Sequence, residues 1–249
     1  MRRYNGDIRI TKGVFPLTQI SRFQLTEDMV EQFYREGYFY APGFITPEAV
    51  EALNKENYEF AHAKSDGAWQ SKGFVHIEKE KDQYPETVRF LTDQHIVKVY
   101  EQILGSQVRL WMGMYAVVAP GGEGLAWHQD NQYTHVLGHM LNGFVALDNI
   151  TQENAGLWLA PRSHRLGRQP NLNEDPLAHR RAPEPENGEP CKPMNPGDAV
   201  IFHRETLHHS KKNNTDKPRR AFAFQVASAN ARLAESGKLM EDRAILSIK

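Results

Sequence analysis

Apolar positions along this chain change their rhythm near residue 105. Before it they recur at three- and four-residue steps; after it they fall into short runs rich in β-branched and aromatic residues, divided by turn formers. In the first part, Thr46-Pro47-Glu48 supplies an N-cap, a proline suited to the first helical position and an acid in the first turn, followed by Val50, Leu53 and Phe60 among polar neighbours. That predicts a helix to about Ala63. A second helix is expected from Thr26 to Arg35, closing near Gly37, and a third from about Gln94 to Leu104 with Gly105 as its C-cap.

After Gly105, the segments Val108 to Ala119, Leu125 to Thr134, Gly143 to Ile150, Leu157 to Ala160, Ala199 to His203 and Arg219 to Ala227 read as strands. Pro120-Gly121-Gly122 and Asn195-Pro196-Gly197-Asp198 are turns that set two of their boundaries. The polar stretch from Arg165 to Pro193 is too long for a hairpin and reads as a lid or insertion. Ser228 to Lys249 is amphipathic and is expected to be helical. Short strands without alternating helices predict a mainly β fold, an antiparallel sandwich or jelly roll with the N-terminal helices on its outside. A helical part over about 26–105 and a β core over about 106–228 are expected to form one domain spanning 1–249.

Composition narrows the functional classes. Of 249 residues 40% are hydrophobic, enough for a buried core, and the net charge of −1 provides no field to gather nucleic acid or an anionic membrane. The partner is therefore expected to be a small molecule. A single cysteine, Cys191, precludes an intrachain disulfide and a cysteine-rich zinc cluster, which fits a reducing cytoplasm. Met1 to Gly13 lacks the apolar run of a signal peptide, and no stretch approaches the ~18–20 apolar residues of a membrane helix. The expectation is a soluble cytoplasmic protein, its oligomeric state left open.

With eleven histidines present, metal motifs arise by chance, so each candidate is weighed against an ordinary core or surface position. In Trp127-His128-Gln129-Asp130, the residues two apart would share one side of a strand and could bind one ion. His76-Ile77-Glu78 and His203-Arg204-Glu205 are the alternatives. The first gains weight from His208, which follows the unit Gly197 to Phe202 eighty residues later. Two imidazoles and a carboxylate suit one face of Fe(II) and leave three positions open, whereas structural zinc would close four, usually with sulfur. Eleven residues beyond His208, Arg219 could grip a dicarboxylate such as 2-oxoglutarate bidentately, and Ser210 could add a hydrogen bond. Otherwise Arg219 and Arg220 would simply end a basic loop with Lys211, Lys212 and Lys217.

Several ordered motifs resemble the phytanoyl-CoA dioxygenase family of Fe(II)/2-oxoglutarate oxygenases. They are Trp127-His128-Gln129-Asp130, Ala146 to Thr151 with Glu153-Asn154-Ala155-Gly156, Pro161-Arg162-Ser163-His164, Gly197-Asp198, Leu207-His208-His209-Ser210, and Asn213 to Ala221. Gly37-Tyr38-Phe39 to Gly43-Phe44-Ile45 resembles the family's entry segment. The resemblance implies a double-stranded β-helix, a cupin-like jelly roll. It also implies Fe(II) on His128, Asp130 and His208 as the catalytic and metal-binding residues, 2-oxoglutarate clamped by Arg219 and Ser210, and O2 as oxidant. His209 becomes a neighbour, and His76 and His203 fall outside the ligand set. Two departures stand out: Arg162 occupies the place of a glycine, and Phe144 lies near where a tryptophan is common. Halogenating relatives replace the carboxylate by a small residue, so Asp130 implies oxygen insertion.

The implied activity is oxidation, usually hydroxylation, of an unactivated C–H of a small organic molecule, with release of succinate and CO2. A compact intermediate of secondary-metabolite biosynthesis is the preferred substrate; nothing specific supports an acyl-CoA. Tyr115, Gln132, Tyr133, His135 and Trp158 are candidate substrate contacts because they flank the ligand segments, although strand aromatics are more often core. Arg162, Arg165 and Arg168 could begin a lid that meets an anionic group. Competing readings are a non-catalytic binding relative and a divalent-metal hydrolase or lyase using the same ligands.

Overall fold

The computed structural model describes residues 19–62, 69–175 and 178–248. Helix α1 (Glu27–Glu36) starts where the Thr26 hydroxyl accepts from the Met29 N–H and stops where Gly37 turns left-handed at φ 88°. Strand β1 (Tyr38–Ala41) follows at once. Helix α2 (Pro47–Glu56) begins at the Thr46 cap but ends at Asn57, short of the expected Ala63. There the Asn57 amide donates to the Leu53 carbonyl and competes with the helical backbone, so a separate turn, α3 (Tyr58–His62), follows. Ala63 lies outside the described residues.

Strand β2 (Trp69–Phe74) and the short helices α4 (Ile77–Glu80) and α5 (Pro85–Leu91) come next; none carries the periodicity that would have predicted it. Helix α6 (Gln94–Leu104) matches expectation, capped by Asp93 on the Ile96 N–H and closed by left-handed Gly105. The remaining strands are β3 (Val108–Val118), β4 (Val136–Leu137), β5 (Met140–Ala146), β6 (Leu157–Leu159), β7 (Glu189–Pro190), β8 (Ala199–His203), β9 (His208–Ser210), β10 (Arg219–Ser228) and β11 (Arg232–Leu233).

Six strands form an antiparallel sheet ordered β1-β8-β5-β10-β3-β2, and β7-β6-β9 and β11-β4 form two small sheets. Alternation along β10 assigns the faces of the large sheet. Phe222 and Phe224 point into a core shared with the helices, where they meet Phe90 and Tyr100. Arg219, Ala223 and Gln225 face the opposite way, into a cavity. A second apolar cluster, including Phe144, Leu157, Leu159, Val200 and Phe202, joins the large sheet to the β6-containing sheet. Two sheets around one interior, with helices outside, make a jelly roll.

Three sequence expectations are corrected. Leu125 to Thr134 is not a strand: His128 makes an isolated bridge to His208, and a 3-10 turn follows at Asp130–Gln132. The turn closes because the Gln132 side chain accepts from the Gln129 N–H. The strand expected over Gly143 to Ile150 lies earlier, at Met140–Ala146, buried between β10 and β8. Gly143 is required there, since a Cβ would sit 2.0 Å from the Phe224 ring. The C-terminal segment is extended rather than helical. It lays Ala244 to Leu246 along β3, with Leu110 N–H to Ala244 O and Leu246 N–H to Val108 O both 3.0 Å, and it buries Met240 and Leu246. Among the described residues no helix is long and apolar enough to cross a membrane.

Candidate metal centre

His128 and His208 face each other across a backbone pair: each N–H donates to the other's carbonyl at 3.0 Å. This pairing, rather than two-residue strand periodicity, places both imidazoles on one side. The His128 Nδ1 bonds to Ala126 O at 2.7 Å and the His208 Nδ1 to Thr206 O at 3.0 Å. Both bonds require Nδ1–H, which leaves the Nε2 lone pairs free as donors to a metal. The 3-10 turn then swings Asp130 inward, so its Oδ1 lies 3.8 Å from His128 Nε2 and 4.0 Å from His208 Nε2. The three candidate ligand atoms lie within 4.8 Å of one another, a triangle small enough to close on one ion. Burial, followed by the neighbouring His208, pushes the His128 pKa down to about 3, so the ring is neutral and its approach to Asp130 is not an ion pair.

The set fits iron by the nature of its donors: two imidazole nitrogens and one carboxylate on one side, with no cysteine in the cluster among the described residues. The ligands open onto a cavity of about 360 Å³, which Arg219, Ser210, Phe144 and Leu157 also line. Arg219 is 2% exposed, its Nε has no hydrogen-bond partner among the described residues, and burial pulls its pKa down to about 10. Its guanidinium lies 5.3 Å from the Phe144 ring centroid. The Ser210 Oγ accepts from the Leu125 N–H at 3.2 Å and keeps its own proton to donate. Arg219 and Arg220 are not a solvated pair. Arg220 points to the other face, where its guanidinium and backbone N–H grip Asp148.

The five substrate-contact candidates separate. Tyr133 lines the cavity, its hydroxyl 3.2 Å from His179 Nδ1. Tyr115 does not: Met114 and Ala116 on either side of it line the cavity, and strand alternation sends Tyr115 into the helical core, where it donates to Asn54 Oδ1 at 2.9 Å. Gln132 spends its side chain holding the turn and donates to Pro170 O at 2.7 Å. His135 is exposed and outside the cavity lining. Trp158 also lies outside it, under the Lys211 ammonium at 4.1 Å. Of the possible lid arginines, Arg162 pairs with Glu36 and Arg168 donates to the carbonyl of Asn131. His76 precedes α4, and His203 packs against Phe33 and His164.

Sequence reasoning missed Trp111, Met112, Asn142, Arg204 and Gln225, all of which line the cavity. Two signals were available: a lone amide in the apolar run Met140 to Ala146, and another following Ala-Phe-Ala-Phe in β10. Trp111 carried none, because a β-bulge aims it inward. Gln225 pairs with Met112 and Val226 with Leu110, which leaves Trp111 the extra residue. The loop after Arg165 is tied down over the ligand segment by Gln129 Nε2 to Gly167 O at 3.0 Å and Ala182 N–H to Trp127 O at 2.6 Å.

Fold and site together define a jelly-roll protein built around two histidines and one carboxylate. A model of the phytanoyl-CoA dioxygenase (PhyH) family matches residues 33–221, and the chain belongs to that family. Among curated relatives, phytanoyl-CoA dioxygenase domain-containing protein 1 of Bos taurus is 31% identical over 154 residues, taking in 57% of this chain but only 53% of the bovine protein. Methylphosphonate hydroxylase of Gimesia maris is 26% identical over 212 residues, covering 79% of this chain and 78% of that one. Among solved structures, the epimerase SnoN in complex with Fe3+, alpha ketoglutarate and nogalamycin RO superposes with a TM-score of 0.67 at 22% identity, over 90% of this chain and 93% of that one.

Proposed function

We propose that this chain is an Fe(II)- and 2-oxoglutarate-dependent dioxygenase that hydroxylates an unactivated C–H of a small organic molecule. The observation that carries this reading is Arg219, a buried guanidinium whose Nε has no partner among the described residues, in the same cavity as the His128, Asp130 and His208 triad. A buried charge without a partner is costly unless a ligand completes it. A dicarboxylate reaching from the triad to Arg219 would do so, and a hydrolytic metal enzyme has no need of such an anchor.

His128, Asp130 and His208 would hold the iron, with both imidazoles oriented by carbonyls behind them. Iron with 2-oxoglutarate and O2 supplies the oxidant for the C–H bond: one oxygen atom enters the alcohol product, the other enters succinate, and CO2 leaves. Arg219 and the Ser210 hydroxyl would fix the far carboxylate of 2-oxoglutarate. Phe144 and Leu157, which line the same cavity, would keep water from the cosubstrate, while Trp111, Met112, Met114 and Tyr133 would form the substrate wall. A largely apolar wall in a cavity of about 360 Å³, shared with the cosubstrate, suits a compact molecule such as an intermediate of secondary metabolism.

The test is anaerobic addition of Fe(II) and 2-oxoglutarate to the metal-free protein. A weak visible charge-transfer band is expected. In air, succinate should form with the wild type and stop in Asp130→Ala and His208→Ala. No band in the wild type, or succinate at the wild-type rate in either variant, would overturn the reading.

A further inference from the structure

Asp130 uses its two oxygens differently. Oδ1 faces the histidine nitrogens, while Oδ2 accepts from Asn142 Nδ2 at 2.6 Å and from Gln225 Nε2 at 2.7 Å. Asn142 on β5 and Gln225 on β10 are direct cross-strand partners, so both amides reach the carboxylate from one level of the large sheet. Turning either amide over would set its oxygen against the Asp130 carboxylate. The Gln225 Oε1 accepts from the Arg204 guanidinium at 2.7 Å, and the Asn142 Oδ1 is buried without a partner among the described residues. Arg204, 3% exposed, also donates to the backbone carbonyls of Asp130 and Thr134 and to Asn131 Oδ1. It therefore holds both the turn that carries Asp130 and the amide that grips it.

We propose that Asn142, Gln225 and Arg204 form a positioning cradle that commits Asp130 to bind metal through Oδ1 alone. The inference rests on the metal-centre reading above. Two strong hydrogen bonds occupy the lone pairs of Oδ2 that a bidentate carboxylate would use. One-oxygen ligation keeps an extra coordination position open for cosubstrate and O2. Asn142 and Gln225 touch Asp130 rather than the ion, so they act through the ligand. Without them the carboxylate could rotate and close on the metal with both oxygens, or swing away.

The experiment compares the wild type with Gln225→Leu, Asn142→Leu and Arg204→Met, titrated anaerobically with Fe(II) in the presence of 2-oxoglutarate and, separately, with Co(II). The expected result is a ~10–100-fold weaker metal affinity in the two amide variants. Their charge-transfer and Co(II) ligand-field bands should also shift, a readout that a loss of stability alone would not move; Arg204→Met should follow in the same direction. A second arm uses Asp130→Gly with added formate. Formate should seat on the free amides and restore metal binding, and adding Asn142→Leu or Gln225→Leu should abolish that rescue. Wild-type affinity and spectra in both amide variants would overturn the cradle, as would formate rescue that is indifferent to them. If the wild type itself binds neither ion, the metal centre fails instead. Should the leucine variants not fold, Asn142→Ser and Gln225→Ser take their place in both arms, and the same outcomes decide for or against the cradle.

Discussion

Replacing Arg219 by methionine should make the metal-free protein more stable while ruining its grip on 2-oxoglutarate. The guanidinium is 2% exposed, and burial lowers its pKa from 12.5 to about 10. At ~1.4 kcal/mol per tenfold, keeping the charge there costs about 3 kcal/mol. The contact with the Phe144 ring, worth ~1 kcal/mol, is lost in the variant. Methionine is flexible and apolar enough to fill the space, so the net gain is about 2 kcal/mol. For a chain of this size that corresponds to roughly 4–8 °C in melting temperature. The same change leaves the buried cosubstrate carboxylate only the Ser210 hydroxyl and no counter-charge, a loss of about 3–4 kcal/mol, or two to three orders of magnitude in Kd. Thermal melts with and without 2-oxoglutarate and a redox-inert divalent ion measure the first effect, and calorimetric titration measures the second. If Arg219→Met melts below the wild type yet keeps the full 2-oxoglutarate-induced shift, the reasoning about this residue is wrong.

Three further outcomes are expected. Burial pushes the His203 pKa down to about 4, against 6.5 ordinarily, so the unfolded chain takes up a proton in that window that the folded chain refuses. Its contribution is intact above pH 6.5 and is lost as the pH falls toward 4, by up to about 3 kcal/mol. His203→Gln should flatten the fall in melting temperature across that range, and equal slopes would refute the assignment. Arg162 is left-handed at φ 65° and is offset by its pairing with Glu36; denaturant melts should find Arg162→Gly about 1 kcal/mol more stable than Arg162→Ala, which keeps the strain and loses the pair. Tyr115→Phe should cost about 1 kcal/mol by orphaning Asn54 Oδ1 and leave titrations of metal and 2-oxoglutarate unchanged, a result that a cavity-facing Tyr115 would not give.

How much of this was legible in the sequence depended on whether the signal was local. Thr26, Thr46, Asp93, Gly37 and Gly105 act on their own helix ends, and the helices start or stop where those residues stand. The turn-strand unit Gly197 to His203 and strand β10 were likewise written in neighbouring residues. His128, Asp130 and His208 were found together, but for a different reason than strand alternation: a cross-chain backbone pair and a turn closed by Gln132. The C-terminal segment was misread because its amphipathic pattern serves an extended strip along β3, and only the tertiary edge reveals which period applies. Tyr115 and Trp111 are opposite errors from one strand. Alternation takes Tyr115 out of the cavity, whereas a bulge, which leaves no mark in the sequence, puts Trp111 into it.

The reciprocal backbone bonds between His128 and His208 carry a kinetic consequence. Two ligands hydrogen-bonded to each other cannot separate while that pair is closed, so the distance between them is set when the chain folds and not when the ion arrives. An ion held there could escape through one ring rotating, but the wide opening that frees both nitrogens must first break the two N–H···O bonds. Those same two amide protons exchange with solvent only when the pair opens. Deuterium uptake at the backbone of His128 and His208 therefore reports on that wider opening, and loading the site with metal should slow both exchanges together.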